Sequence, residues 1–447
     1  MSSTTARGPV IAFVGGGSAK FVSEVVRDIF TYPALAGSRI RLMDVDPERL
    51  SRGRRIVEKL INEFQVPATV EATLDRRAAV AGADVVVVTI MVGGFKHYES
   101  DARIPMRYGV LPTVGDTIGP GGVFRLVRTA PVLHGLAQDL AELAPDAWVL
   151  NYANPMAMNT WTLIAAGHRR TIGLCHSIQG MYRALADWAG VPADEVRFTA
   201  AGINHVNFYL SLTHNGRDLY PAVLAAEQAV LEKHPNEKVR FELLRRLGHF
   251  PAEGAEHQSE YYGWFRKDQR RADELASETM WGFRFDSEVN QWLRDHVDAQ
   301  ISGEKPICRT RGHEYGSGIV NALVSGEAMS FYGNVRNDDL IDNLPRGSVV
   351  EVPCLADANG VFPCRMGRIP TQLAAVMTPH VHVHELAVEG VRRKSRDLIR
   401  MAIQADPLTQ AVCTLPQIEA MVDDLFVENA AYVGDWPTRR SAVAVGG

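Results

Sequence analysis

The sequence has few cysteines, no long apolar segment and no large excess of charge of either sign. Its five cysteines include no Cys-x-x-Cys pair, and so small and odd a set is typical of a reducing compartment rather than of a disulfide scaffold. No apolar run reaches the roughly 18 residues of a membrane-spanning helix. Because 47 basic residues face 52 acidic ones, the net charge of −5 provides no basic field for nucleic acid. We therefore expect neither nucleic acid nor a membrane as a partner.

The composition is that of a globular protein large enough to be an enzyme. Hydrophobic residues make up 46% of the 447 positions and charged residues 22%, which excludes disordered, collagen-like and coiled-coil chains. Two or three domains are expected for this length. The segment 1–9 lacks the apolar core of a signal peptide. We therefore expect a cytoplasmic protein that acts on a small molecule.

Strand and helix signals alternate over residues 1–200. The apolar run Val10–Val14 is strand-like, and Pro47–Phe64 has the periodicity of an amphipathic helix. Ala83–Ile90 is almost entirely apolar, as expected of a parallel strand that is buried on both faces. This alternation predicts an α/β fold with a Rossmann-like, doubly wound parallel sheet.

Residues 201–447 have a different, mostly helical texture. Helix is predicted over 221–300, 317–334 and 369–430, with a short β segment near Ser348–Val352. The second half is therefore predicted to be a mixed, mostly helical α+β region.

A glycine-rich loop between the first strand and the first helix is a candidate phosphate-binding loop. Gly15 and Gly17 would let backbone amides approach a pyrophosphate, and Ser18 would lie at the positive end of the helix. The third glycine of the G-x-G-x-x-G pattern is absent, because Lys20 occupies that position. The loop alone is also compatible with an ordinary glycine turn.

An acidic residue at the end of the second strand strengthens the prediction. Asp44 lies where a carboxylate binds the ribose hydroxyls of the adenosine half of NAD, and it would repel the 2′-phosphate of NADP. Asp46 is the neighbouring candidate. Either aspartate could instead cap the helix that begins at Pro47.

Four polar motifs follow presumed strands, at the sheet edge where ligand clefts form in α/β proteins. They are Gly115–Gly122, Asn151–Pro155, Cys175–Gly180 and Gly202–His205.

These motifs, in this order, resemble those of the family 4 glycoside hydrolases, which depend on NAD and a divalent metal. The Cys-His-Ser-Ile sequence at 175–178 is similar to the Cys-His-Ser-Val motif of melibiase-type α-galactosidases within that family. The resemblance covers nearly the whole chain. Further matching segments are Val92–Gly94, Asn151–Trp161, Ala201–His205, Ser259–Tyr261, Tyr332–Asn337 and Ile341–Pro345.

The resemblance implies a retaining α-glycosidase that uses NAD and Mn²⁺, with an α-galactoside as the expected substrate. In such enzymes NAD removes hydride from C3 of the sugar, a base removes the proton at C2, the aglycone is eliminated, water adds and the hydride returns. The resemblance also implies an NAD-binding domain over 1–200, a substrate, metal and oligomerisation domain over 201–447, and a homodimer or homotetramer.

By the same resemblance, Cys175 and His205 are the expected metal ligands. Without the motif, Cys175 would be read as a buried core cysteine and His205 as an ordinary hydrogen-bonded histidine. Asp116 is expected to support the metal or its water, with an Asx turn as the alternative.

Two residues are expected to transfer protons. His176 stands where phospho-sugar relatives carry an Asp or Asn, so it is a candidate general acid, although it could only hydrogen-bond the sugar. Tyr261 matches the family's proposed base at C2, and Tyr262 is its rival. A tyrosine needs a nearby cation or metal to act as a phenolate, and the alternative role is aromatic packing.

The remaining candidates concern substrate binding. Asn151 and Asn154 are expected to bridge sugar hydroxyls and nicotinamide, or else to form the turn before a proline. Lys96, His97 and Arg125 depart from what a melibiase would carry. They could bind an anionic C6 group, as in an α-galacturonide or a sulfoquinovoside, or they could be ordinary surface residues.

Two hypotheses from other classes remain open. A plain NAD-dependent 2-hydroxy-acid dehydrogenase would need neither a metal nor Cys175, and it would accumulate NADH. A non-catalytic sugar or NAD sensor would not need Cys175, His205 and Tyr261 together, and the sequence retains all three.

Overall fold

The computed structural model describes residues 8–312, 314–434 and 436–437. The strands are β1 Val10–Val14, β2 Arg39–Met43, β3 Thr69–Thr73, β4 Val85–Val88, β5 Trp148–Asn151, β6 Thr171–Gly173, β7 Val196–Ile203, β8 Val206–His214, β9 Arg217–Asp218, β10 Met329–Arg336, β11 Val349–Asp357 and β12 Gly360–Pro363. The helices of the first half are α1 Ala19–Ile29, α2 Pro47–Phe64, α3 Arg76–Val80, α4 Gly94–Met106, α5 Gly119–Leu143, α6 Met156–Ala165 and α7 Ser177–Trp188. Those of the second half are α8 Tyr220–Ala225, α9 Glu227–Lys233, α10 Lys238–Leu247, α11 Ala255–Glu260, α12 Gln269–Glu274, α13 Trp281–Ser302, α14 Gly316–Ser325, α15 Thr371–Arg393, α16 Arg396–Ala405, α17 Pro407–Val412, α18 Leu415–Glu428 and α19 Ala430–Val433.

The strands of the described residues form one sheet in the order β3-β2-β1-β4-β5-β6-β10-β11-β7-β8-β9, with β12 beside β11. The six strands from β3 to β6 are parallel, in the 3-2-1-4-5-6 order of dinucleotide-binding sheets. The later strands are antiparallel, and β10 joins them to β6 where Asn334 pairs with Gly173. The predicted Rossmann-like fold with an α+β region is confirmed.

The core lies on both faces of the parallel strands. In β1, Ile11 and Phe13 belong to the apolar cluster beneath α1 and α2. Val10, Ala12 and Val14 belong to a second cluster that includes residues of α3 and α5 on the other face. Because successive side chains of a strand point to opposite faces, a strand covered by helices on both sides must be apolar throughout.

Two secondary-structure predictions need correction. The helix predicted over 317–334 ends at Ser325, because Gly326 adopts a left-handed conformation with φ of 80° and closes α14. The following residues form β10 between β6 and β11. Strand β3 was not predicted, because as the outer strand of the parallel set it has no fully buried residue.

The predicted division into residues 1–200 and 201–447 remains a prediction. Position 200 lies inside β7, which continues the same sheet. Among the described residues, none of the helices combines the length and the apolar character needed to cross a membrane.

Candidate active site

The glycine loop after β1 forms one wall of a groove of about 940 Å³. Gly15 has φ of 100°, and a Cβ there would lie 2.8 Å from the Thr89 backbone, so the turn requires glycine. Ser18 is the N-cap of α1 and accepts a hydrogen bond from the backbone amide of Phe21. The close backbone approach and the helix N-terminus fit the pyrophosphate of a dinucleotide.

Asp44 lies at the end of β2 beside this loop. Its Oδ2 accepts a hydrogen bond of 2.9 Å from the amide of Gly17, and both residues line the groove. Asp46 instead caps α2 by accepting hydrogen bonds from the amides of Glu48 and Arg49. Both aspartates line the groove, but only Asp44 accepts a hydrogen bond from the glycine loop, which favours it as the candidate ribose-binding acid.

At the far end of the groove, Asp116, Asn154 and Arg125 lie together. The amide nitrogen of Asn154 donates a 2.7 Å hydrogen bond to Oδ2 of Asp116, and Nη1 of Arg125 is 3.9 Å from the same oxygen. Burial raises the pKa of Asp116, but the positive charges of Arg125 and His257 lower it by more, so the net pKa is below its usual value. Asp116 is therefore an anion at the end of the groove.

A candidate metal-binding set of side chains includes His205, whose pKa the charge of Asp116 raises. The ligand atoms of Cys175, His205 and Glu253 all lie within 4.8 Å of one another. Oε2 of Glu253 is 3.6 Å from the sulfur of Cys175 and 3.4 Å from Nε2 of His205. One sulfur, one imidazole nitrogen and one carboxylate oxygen form a donor set that suits a divalent transition metal with open positions for substrate.

The protonation states of these groups fit a cation at their centre. Burial raises the pKa of the Cys175 thiol well above its usual value, and the negative charge of Glu253 is the second cause in the same direction. Burial lowers the pKa of His205 to about 4, which leaves the imidazole neutral. A neutral imidazole can ligate directly, whereas the buried thiol needs a cation to become a thiolate. We therefore find that the three residues fit a divalent metal.

Tyr261 and Tyr262 have different surroundings. The hydroxyl oxygen of Tyr261 is 3.1 Å from Nδ1 of His205, whereas the hydroxyl of Tyr262 donates a 3.1 Å hydrogen bond to Oε1 of Gln258. Burial raises the pKa of both phenols. Because Tyr261 contacts the imidazole of a candidate ligand, the geometry favours it over Tyr262 as the base.

His176 stands at the N-terminus of α7, next to Cys175. Its Nε2 lies 2.8 Å from Oε2 of the buried Glu314, and nearly half of its side-chain surface is exposed. The hydrogen bond fixes the ring and leaves Nδ1 available, which is compatible with either role expected of this residue.

The structure places three expected substrate contacts outside this groove, and their role in substrate binding stays a prediction. Asn151 is fully buried, and its side chain bonds Thr160 and the backbone of Ala153, so it holds the turn. His97 is buried with Nδ1 near the Gly93 carbonyl oxygen, and its ring packs edge-on against Tyr432. Lys96 is exposed on α4. None of the three lines the groove.

The sequence reading missed two residues of this centre, Glu253 and His257. The ring of His257 stacks on His205 with centroids 4.2 Å apart. Burial lowers the pKa of His257, but the carboxylates of Glu253 and Glu260 raise it by more. The available signal was a glutamate and a histidine four positions apart, shortly before Tyr261.

Comparison with known proteins gives a consistent result. The family model described as family 4 glycosyl hydrolase matches residues 10–191, and the model of its C-terminal domain matches residues 200–409. An alpha-galactosidase of Bacillus subtilis is 36% identical over 432 residues, which cover 95% of this chain and 98% of that protein. An alpha-galacturonidase of Lachnoclostridium phytofermentans is 28% identical, covering 95% of this chain and 96% of that protein.

Among solved structures, a 6-phospho-alpha-glucosidase from gut microorganisms, determined in complex with NAD and Mn²⁺, is similar in fold. Its TM-score is 0.80 at 18% identity, over 96% of this chain and 99% of that one. At this identity the likeness supports the fold.

Proposed function

The chain belongs to family 4 of the glycosyl hydrolases, and from this premise we propose that it is an NAD- and Mn²⁺-dependent retaining α-glycosidase acting on an α-galactoside. The observation that carries the proposal is the meeting of two sites. The dinucleotide groove ends at Asp116. The negative charge of Asp116 raises the pKa of His205, which belongs to the Cys175–His205–Glu253 set. A sugar held between them would face both a hydride acceptor and a metal.

In this proposal the side chains of the protein transfer protons and orient the sugar, and the cofactor and the metal supply the rest of the chemistry. Bound NAD⁺ would supply reversible hydride transfer at C3 of the sugar, and a bound metal ion would polarise the oxygen there and acidify the C2 proton. Tyr261 is the proposed base at C2, and His176 is the proposed proton donor to the leaving oxygen. Asp116 holds the side chain of Asn154, which is proposed to orient the sugar and the nicotinamide.

A second substrate class, an α-glycoside with an anionic C6 group, is favoured by Arg125. This residue is buried at the end of the groove, and its Nε and Nη1 have no hydrogen-bond partner among the described residues. A buried guanidinium without full pairing costs free energy unless a ligand provides acceptors. A carboxylate or sulfonate, as in an α-galacturonide or a sulfoquinovoside, would do so.

The stoichiometry of the cofactor tests the proposed reaction. We expect an amount of NAD⁺ equal to the enzyme to support many turnovers of an aryl α-galactoside with Mn²⁺ and thiol present, because the hydride returns in each cycle. Absorbance at the NADH band and release of the aryl group measure this together, on a panel with the glucoside, galacturonide and sulfoquinovoside. NADH that accumulated in step with sugar consumption would indicate a dehydrogenase instead.

Substitution of Arg125 tests the C6 group. If the substrate is anionic, Arg125→Gln should lower the ratio of kcat/KM for the galacturonide to that for the galactoside by at least about tenfold, since a charged hydrogen bond contributes roughly 1.5–3 kcal/mol. The ratio cancels any loss common to both substrates. Lys96→Gln, which removes an exposed charge, is the control. An unchanged ratio in Arg125→Gln would leave the neutral galactoside as the substrate.

The cytoplasm remains the proposed location, and a homodimer or homotetramer the proposed assembly. All five cysteines are free thiols in the structure, and the proposed role of Cys175 requires a reduced thiol. Light scattering would give the mass in solution.

A further inference from the structure

Helix α13 presents a continuous stripe of side chains to the dinucleotide groove. Of its 22 residues only Gly282 and Val297 are buried. The groove-lining members of the helix recur at spacings of three and four, which is one helical face: Phe285, Asp286, Val289, Asn290, Leu293 and Arg294.

The helix runs along the groove from the catalytic end to the adenosine end. A Cβ at Gly282 would lie 2.9 Å from the hydroxyl of Tyr98, whose ring is 5.0 Å from the guanidinium of Arg125. Near the other end, Asp298 pairs at 3.0 Å with Arg52 of α2, the helix that follows Asp44. The interval from Gly282 to Asp298 is about 24 Å at 1.5 Å per residue.

From this placement we propose that α13 is the outer wall of the dinucleotide site, and that Val289, Leu293 and Arg294 contact bound NAD⁺. The two aliphatic side chains would cover an aromatic ring of the cofactor, and the guanidinium would bring positive charge to its phosphates. All three side chains are half-buried. The inference rests on the proposed NAD⁺ dependence but not on glycoside hydrolysis.

A wall of this kind suits a cofactor that is not consumed. The hydride removed from a sugar must return to the same sugar, so NAD should remain bound through each cycle. The glycine loop and Asp44 hold one side of the dinucleotide, and a helix from the second half of the chain would close the other. We therefore expect α13 to act mainly on the rate at which NAD⁺ dissociates.

Two neighbouring positions on α13 give a matched test. Leu293→Asp places a carboxylate on the groove-facing stripe, whereas Trp292→Asp places one at an outward position that is 57% exposed. We expect Leu293→Asp to weaken NAD⁺ binding at least tenfold, mostly through faster dissociation, and Trp292→Asp to stay within twofold of the parent. Titration calorimetry and stopped-flow fluorescence on the full chain, without sugar or metal, measure both. Equal affinities in the two variants would overturn the proposal.

A second measurement does not depend on how well these variants fold. NAD⁺ should slow amide hydrogen exchange in α13 of the unsubstituted protein, and Arg294→Gln should bind NAD⁺ several-fold more weakly with unchanged thermal unfolding. An amide hydrogen exchange rate in α13 that NAD⁺ leaves unchanged would contradict the inference. A parent protein that binds NAD⁺ with this protection but hydrolyses no glycoside would leave the inference standing and overturn the proposed function.

Discussion

Cys175→Ser should abolish most turnover while leaving the affinity for NAD⁺ within about twofold of the parent. Serine cannot supply the thiolate donor, and only His205 and Glu253 would remain to bind the metal. The dinucleotide groove is formed by other residues, so cofactor binding should persist. We expect Mn²⁺ affinity to fall at least about 10²-fold, more than the loss typical of replacing a residue that only hydrogen-bonds a metal ligand. Electron paramagnetic resonance of free Mn²⁺ and calorimetry with NAD⁺ separate the two effects.

Cys413→Ser is the control for general effects of losing a thiol, because Cys413 lies far along the chain and its sulfur contacts the backbone of Tyr108. Glu253→Gln, which preserves shape and removes charge, should weaken Mn²⁺ binding in the same direction. Oxidation of Cys175 should mimic its replacement, since a sulfenic acid is not the same ligand. Full activity of Cys175→Ser after chelation and reloading with Mn²⁺ would refute the metal assignment.

Local sequence patterns were sufficient where function depends on neighbours in the chain. The bounds of α2 matched the predicted 47–64, because amphipathic spacing and the Pro47 start are local signals. The glycine loop and Asp44 lie side by side, because the 3-2-1-4 strand order brings the carboxyl ends of β1 and β2 together, and their role in binding NAD stays a prediction. Cys175 and His205 were paired only by resemblance, since no spacing rule links positions 30 apart.

The position of Glu253 beside His205 depends on contacts between residues that are far apart in the sequence. Pro251 pairs with Phe208 of β8, and the amide of Ala252 donates to the Asn207 carbonyl, so the loop that carries Glu253 is held beside His205. The spacing of Glu253 and His257 marks this segment, but no local pattern predicts its pairing with β8. Lys96 is exposed on α4, whereas Arg125 of α5 lines the groove. The orientation of each helix about its axis decides which of these two cations faces the groove, and the charge of the residue does not.

Tyr261→Phe should lower kcat by about 10²–10⁴-fold, the usual contribution of a general base. The substitution removes one oxygen, which lies 3.1 Å from Nδ1 of His205, and keeps the ring that packs near His380. NAD⁺ binding should be unaffected. Tyr262→Phe is the matched control, because it removes the same atom from the next residue, whose hydroxyl contacts Gln258 instead. A silent Tyr261→Phe beside an impaired Tyr262→Phe would transfer the role of base to Tyr262.

The deuterium content of the product tests whether C2 of the sugar is deprotonated during the reaction. If C2 is deprotonated in each turnover, sugar released in D₂O must carry deuterium at C2, as mass spectrometry and proton NMR would show. A direct displacement at C1 never breaks that C–H bond and would leave C2 protiated. In Tyr261→Phe, the entry of deuterium should slow in proportion to kcat, because one proton transfer limits both. Product without label at C2 would refute the elimination route even if NAD⁺ were required, since a dinucleotide could then have only a structural role.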